Sequence, residues 1–173
     1  MIPLKLELQN FLPYKEPDAL DFSCLHVACL AGDNGAGKSS LLDAMTWALW
    51  GRARAKTDEE LIRQGASEMR VVFTFGLHGQ VYQVIRQKRA GKGKGSSLEL
   101  QLQENGKWKG QSEATILQTQ KKIIGLLKLD FDTFVNSAFI QQGKADEFTR
   151  KTPAQRKEVL ADILGLDQWG VYE

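Results

Sequence analysis

The 173-residue sequence predicts an α/β fold, and three observations carry that expectation. A glycine-rich turn joins a short apolar run to a helical pattern between residues 25 and 51. Period-two alternation recurs through residues 71–109. A capped apolar helix opens at Thr152. With 42% hydrophobic and 25% charged residues, the composition is that of one globular domain or one lobe of a larger one. It excludes a disordered tail, a collagen-like fibre and a disulfide scaffold. No apolar run approaches the roughly 18 residues of a membrane span. The start, MIPLKLELQN, alternates charged and apolar residues, unlike a signal peptide. Cys24 and Cys29 sit in an apolar stretch and read as buried free thiols of a reducing, cytoplasmic compartment rather than as a metal or redox pair. The 23 basic and 21 acidic residues leave a formal net charge of +2, so any footprint for nucleic acid has to be local.

The elements follow in order. Ile2, Leu4, Leu6 and Leu8 alternate with polar neighbours and predict a strand. Pro13 and Pro17 make residues 10–18 a loop. LHVACLA at 25–31 is almost wholly apolar and predicts a strand covered on both faces. Leu41, Leu42, Met45, Ala48 and Leu49 fall at helical spacing, and Gly51 stands where a C-cap glycine belongs. A short helix is expected near 58–62. Residues 71–77, VYQVIRQK at 81–88 and residues 98–102 alternate as strands of an antiparallel meander with one buried face. Asn105-Gly106 marks a hairpin turn, followed by a short KWK strand. Helical spacing returns over 112–127. Thr152-Pro153-Ala154-Gln155 combines an N-cap threonine, a first-turn proline and a capping-box glutamine. Trp47 and Trp50 read as packing residues; Trp108, between two lysines, is a candidate for stacking on a base.

Residues 32–39, GDNGAGKS, match G-x-x-x-x-G-K-[ST] without a gap. Glycines let the backbone curl around phosphate oxygens without a Cβ clash. Successive N–H groups then form an anion nest, and the following helix presents its positive end. In this motif Lys38 reaches the β- and γ-phosphates and the Ser39 hydroxyl ligates Mg²⁺. The guanine-reading N/T-K-x-D element is absent. The two D-x-x-G matches lie in or just after the terminal helix, where no switch loop belongs. No arginine-bearing kinase lid is evident, and no apolar strand ending in Asp-Glu follows the motif. The carboxylates that hold the metal and polarise water are therefore expected from elsewhere.

QNFLPYKE at 9–16, GDNGAGKSSLLDAMTWALWG at 32–51 and FVNSAFIQQGKADEF at 134–148 resemble the N-terminal ATPase segment of the SbcC type. This is the double-strand-break-repair ATPase of the Mre-eleven–Rad-fifty complex, an ABC ATPase of the chromosome-maintenance (SMC) group. The resemblance implies a P-loop NTPase fold: an ABC-ATPase-like lobe over 1–150, with the meander beside a Walker-A strand and helix, and the start of a coiled-coil helix over 151–173. It implies that Asn34, Gly35, Ala36, Gly37, Lys38, Ser39 and Ser40 wrap ATP, that Ser39 and Gln142 hold Mg²⁺, and that Lys38 and Gln142 serve catalysis. Gln142 would belong to a Q-loop that couples the γ-phosphate to movement between lobes. It further implies a C-terminal segment of the same protein carrying the signature motif and acidic pair, a homodimer of heads, an SbcD-type nuclease subunit, and double-stranded DNA ends bound without sequence preference. Leu12 departs from the arginine that many relatives carry there. Arg52, Arg54 and Lys56 lie where relatives approach base and ribose. A chromosome-organising head without a nuclease, a DNA-tethering module with structural nucleotide, and a self-sufficient small P-loop kinase are the alternative readings.

Arg86, Lys88, Arg89, Lys92 and Lys94 fall close together with no acid among them, and Lys107 and Lys109 lie across the hairpin. Five such charges on duplex phosphates would give a log–log salt slope of about −4 to −5. The same residues also suit a solvated turn that protects a sheet edge. The resemblance favours DNA for Lys88, Arg89, Lys92, Lys94, Lys107 and Lys109, through backbone contacts only.

Overall fold

A computed structural model describes residues 1–91, 95–137 and 152–155. Two compact units divide at Leu126/Leu127. The first contains a six-stranded antiparallel sheet in the order β2-β1-β3-β4-β5-β6. Its strands are β1 (Ile2–Gln9), β2 (Leu20–Asp21), β3 (Glu68–Leu77), β4 (Gln80–Arg89), β5 (Ser96–Glu104) and β6 (Lys107–Gly110). Helix α1 (Lys38–Trp50) packs against β3 and β4.

Cross-strand register explains the core. Leu6, Phe73, Val84 and Leu100 stand opposite one another across four strands, and all four are buried. Each such side chain contributes roughly 1.5–3 kcal/mol on burial. Phe73, Phe75 and Tyr82 continue the row as stacked rings 5.7 and 5.9 Å apart. The meander turns are local. His78-Gly79 and Asn105-Gly106 have positive φ at both positions, the geometry that closes two-residue hairpins with the natural strand twist.

The expectation of a single buried face needs correction at β3. Val72 and Thr74, on the face opposite Phe73, are buried as well. β3 is an interior strand flanked by β1 and β4, and Gln83 Nε2 donates to Thr74 Oγ1 across the ladder at 3.0 Å.

The strand expected over residues 25–31 is not formed. Leu25, Val27 and Leu30 are exposed, Val27 by 90%. Cys24 and Cys29, expected to be buried, are exposed too. Apolar composition expresses a preference for leaving water, but a strand also needs hydrogen-bonding neighbours. Among the described residues no strand forms a ladder with this run, and Leu25 N only closes a local turn on Phe22 O at 3.0 Å.

The remaining elements follow their signals. A 3-10 turn spans Asp58–Leu61. Helix α2 (Ile116–Leu127) starts later than its apolar spacing suggests, because Thr115 caps it: Gln118 N donates to Thr115 Oγ1 at 3.2 Å. Within the second unit, helix α3 (Phe131–Ser137) is capped by Asp130, whose Oδ1 accepts from Thr133 N at 2.7 Å. The capping box at Thr152 is reciprocal: Thr152 N donates to Gln155 Oε1 at 3.0 Å, and Gln155 N to Thr152 Oγ1 at 3.4 Å. The rest of the expected coil helix lies outside the described residues. Among those residues no helix is long and apolar enough to cross a membrane.

Candidate nucleotide-binding site

The loop at 32–39 has the backbone that its sequence requires. Gly32, Gly35 and Gly37 take φ of 147°, 86° and 91°. At Gly35 a Cβ would meet nothing within 4 Å, so the loop is open around it. Gly37 ends the loop and starts α1, and Ser40 N donates to its carbonyl at 2.9 Å. No side chain caps this N-terminus and no acid occupies the first turn. Its free amides and the positive end of the helix dipole are therefore left for an external anion. The Lys38 ammonium folds back over the loop, donating to the carbonyls of Gly32 at 2.6 Å and Asp33 at 2.8 Å. Its charge is thereby held at the mouth of the nest. Asn34, Ala36, Ser39 and Ser40 lie in the same loop and first turn.

Two further elements brace this helix. The loop at 10–15 abuts its start: Tyr14 Oη donates to the Gly37 carbonyl at 3.2 Å, and burial raises the Tyr14 pKa. Farther along α1, buried Asp43 accepts two bonds from Arg54 Nε at 3.0 and 3.1 Å and one from Nη2 at 2.7 Å. That carboxylate raises the Arg54 pKa and fixes the segment after the helix. Arg54 is thus engaged with α1. Trp47 and Trp50 are buried, as expected of packing residues, and Trp47 Nε1 donates to Asp58 Oδ1 at 3.0 Å.

The C-terminal end of α1 is closed from outside. Gly51 adopts φ 66° and its N–H returns to Trp47 O at 2.8 Å. Arg86 Nε donates to Ala48 O at 3.1 Å, Gln120 Nε2 donates to Leu49 O at 2.8 Å, and the Arg86 guanidinium also donates to Gln120 Oε1. It lies 5.7 Å from the Trp47 ring centroid. Burial pushes its pKa down to about 10, against the raising effect of Asp58, so it stays charged at neutral pH. A cation meets the negative end of the dipole although α1 carries none in its own last turn. Arg86 therefore leaves the basic surface run to which its sequence position assigns it. The signal was available: Tyr82, Val84 and Arg86 share one parity of β4, the inward one.

Of the residues expected to meet DNA, Lys88 pairs with Glu59 at 3.4 Å, Arg89 with Glu68 at 3.0 Å and Lys109 with Glu104 at 3.1 Å. Lys107 and Trp108 are exposed on β6, which forms one edge of the sheet. Lys92, Lys94 and Gln142 lie outside the described residues.

A family profile described as "AAA domain" matches residues 5–168. The chain belongs to that AAA-domain family. Curated relatives of this AAA domain include the SbcC component of the SbcCD nuclease of Deinococcus radiodurans, 37% identical over 96% of the chain and 19% of the relative. Another is the "Probable DNA double-strand break repair Rad50 ATPase" of Aquifex aeolicus, 30% identical over 97% of the chain and 17% of the relative. The resemblance read from the sequence and these relatives agree: nearly the whole AAA domain is similar to part of SbcC and Rad50 proteins. It spans about a fifth of the length of the curated relatives it matches. A solved chain from "Structural biochemistry of ATP-driven dimerization and DNA stimulated activation of SMC ATPases" superposes with a TM-score of 0.64 at 24% identity, covering 94% of this chain and 99% of that one. The AAA domain therefore has the fold of an α/β P-loop ATPase lobe.

Proposed function

We propose that this chain is the ATP-binding half of an SbcC-type ATPase. In this reading two heads close on two ATP molecules, bind double-stranded DNA ends without sequence preference and gate an SbcD-type nuclease in the cytoplasm. The observation that supports it most is the uncapped start of α1, with Lys38 held over a positive-φ glycine loop. The SbcC and Rad50 ATPase relatives, which match it nearly end to end, supply the context. The loop fits a triphosphate: no side chain caps the start of α1, no acid stands in its first turn, the Lys38 ammonium lies over the loop, and the space around Gly35 is open. Asn34, Gly35, Ala36, Gly37, Lys38, Ser39 and Ser40 would wrap the phosphates. Ser39 and Gln142 would hold Mg²⁺, which supplies neutralisation of phosphate charge when bound.

The exposed apolar run from Leu25 to Leu30 supports the expectation that a C-terminal segment completes the lobe and brings the acidic pair. The division into a lobe over 1–150 and the start of a coil over 151–173 belongs to the same reading. So do Lys88, Arg89, Lys92, Lys94, Lys107 and Lys109 as contacts to DNA phosphates.

Lys38→Ala removes a charge-assisted contact worth about 1.5–3 kcal/mol, so ATP affinity should fall about 10- to 100-fold in calorimetry of the full-length protein. Unchanged affinity would place the nucleotide elsewhere. Gln142→Ala should leave binding within about twofold and slow turnover by about 10-fold or more. A wild-type rate in that variant would remove Gln142 from the site.

A further inference from the structure

We propose that Tyr14, set in place by Pro13 and Phe11, is a positioning residue for the phosphate loop. The inference rests on the ATP-binding reading and deepens it. A trans peptide directs its carbonyl and its N–H to opposite sides. The Gly37–Lys38 peptide has its carbonyl engaged twice, by Ser40 N at 2.9 Å and by Tyr14 Oη at 3.2 Å. Fixing that carbonyl fixes the opposed Lys38 amide, one of the uncapped donors at the start of α1. Pro13 and Tyr14 also close on Gly37 sterically: a Cβ there would lie 2.7 Å from Pro13 Cγ and 3.1 Å from Tyr14 Oη.

Tyr14 can act this way only if its own loop is rigid, and it is tied at several points. Asn10 N donates to Lys15 O at 2.6 Å and Tyr14 N to Phe11 O at 2.9 Å. Leu12 N donates to Leu61 O and Arg63 N to Asn10 O, each at 2.8 Å. Phe11 is fully buried, with its ring 5.9 Å from Trp47 in the third turn of α1. One short loop therefore touches α1 at two points, its first residue boundary and its interior. The amides facing the anion are held in place before any ligand arrives, which is how pre-organisation raises affinity.

The test compares wild type, Tyr14→Phe and Tyr82→Phe in the full-length protein. Tyr14→Phe keeps the ring and removes the donor. Tyr82→Phe removes a hydroxyl whose partner is Gln80, at the far end of β4. For Tyr14→Phe we expect MgADP affinity to fall about three- to tenfold, the size of one hydrogen bond, with KM for ATP rising more than kcat falls. Its nucleotide-free melting temperature should stay within about 2 °C of wild type while the nucleotide-induced rise shrinks. Tyr82→Phe should leave KM unchanged. If Tyr14→Phe binds MgADP within twofold of a binding-competent wild type, the Tyr14 assignment fails alone. A drop in the nucleotide-free melting temperature that accounts for the affinity loss would make Tyr14 merely structural and overturn it equally. If wild type itself does not bind MgADP, the ATP-binding reading falls first.

Discussion

Gly37 does two jobs that no other residue type can combine. Its φ of 91° is left-handed, and its missing Cβ admits Pro13 at 2.7 Å. Gly35 shares the first property, at 86°, but not the second, since nothing lies within 4 Å of its would-be Cβ. The two positions therefore separate backbone strain from collision. Gly35→Ala should cost about 1–2 kcal/mol of stability, from the left-handed conformation alone. Gly37→Ala should cost more, about 2–4 kcal/mol, because a proline ring carbon cannot swing aside as a flexible side chain can. Urea unfolding of both variants checks the ranking; equal losses would mean that the close approach of Pro13 carries no weight. The cysteines teach a related point at this scale. Cys24 and Cys29 are apolar in character, yet both are exposed, because burial depends on a cover and not on the side chain alone.

Among the elements, α1 links sequence to site most directly. It starts at a glycine that leaves its positive end bare and stops at Gly51 beneath a guanidinium from β4. Arg86→Met keeps much of the aliphatic stem but removes the donors to Ala48 O and Gln120. We expect a loss of about 2–4 kcal/mol in urea unfolding, since a buried helix carbonyl loses its charged partner. Arg86→Lys should recover only part of it, because a point charge cannot span two acceptors as the planar fork does. Full recovery by lysine would show that charge at the helix end, and not the bridging geometry, is what matters.

At the scale of the whole molecule, the chain brings the proposed phosphate loop and a sheet edge carrying Lys107 and Lys109 into one polypeptide. With Arg86 buried and Lys88 only 19% exposed, the exposed cations among the described residues of this group are Arg89 at the end of β4 and Lys107 and Lys109 on β6. Surface pairs such as Lys109–Glu104 are weak and screened, so they do not prevent the same lysines from meeting phosphate. The double substitution Lys107→Gln with Lys109→Gln should weaken duplex binding by the full-length protein and reduce the log–log salt slope by about 2. Anisotropy titrations across salt concentrations measure that slope; an unchanged slope would remove β6 from the DNA path.

The sequence by itself determined whatever depends on neighbours a few residues apart. The glycine curl at 32–37, the hairpin turn at Asn105-Gly106, the glycine after α1 and the capping box at Thr152 were all legible there, because φ preferences and short-range hydrogen bonds belong to local chain chemistry. Tertiary structure alone decided which groups meet across long separations: Tyr14 on Gly37, Arg86 on the end of α1, the burial of both faces of β3, and the failure of residues 25–31 to become a strand. Those outcomes depend on partners, and the hydrophobic effect that drives burial is non-directional. A run of apolar residues states that it should be covered without stating by what.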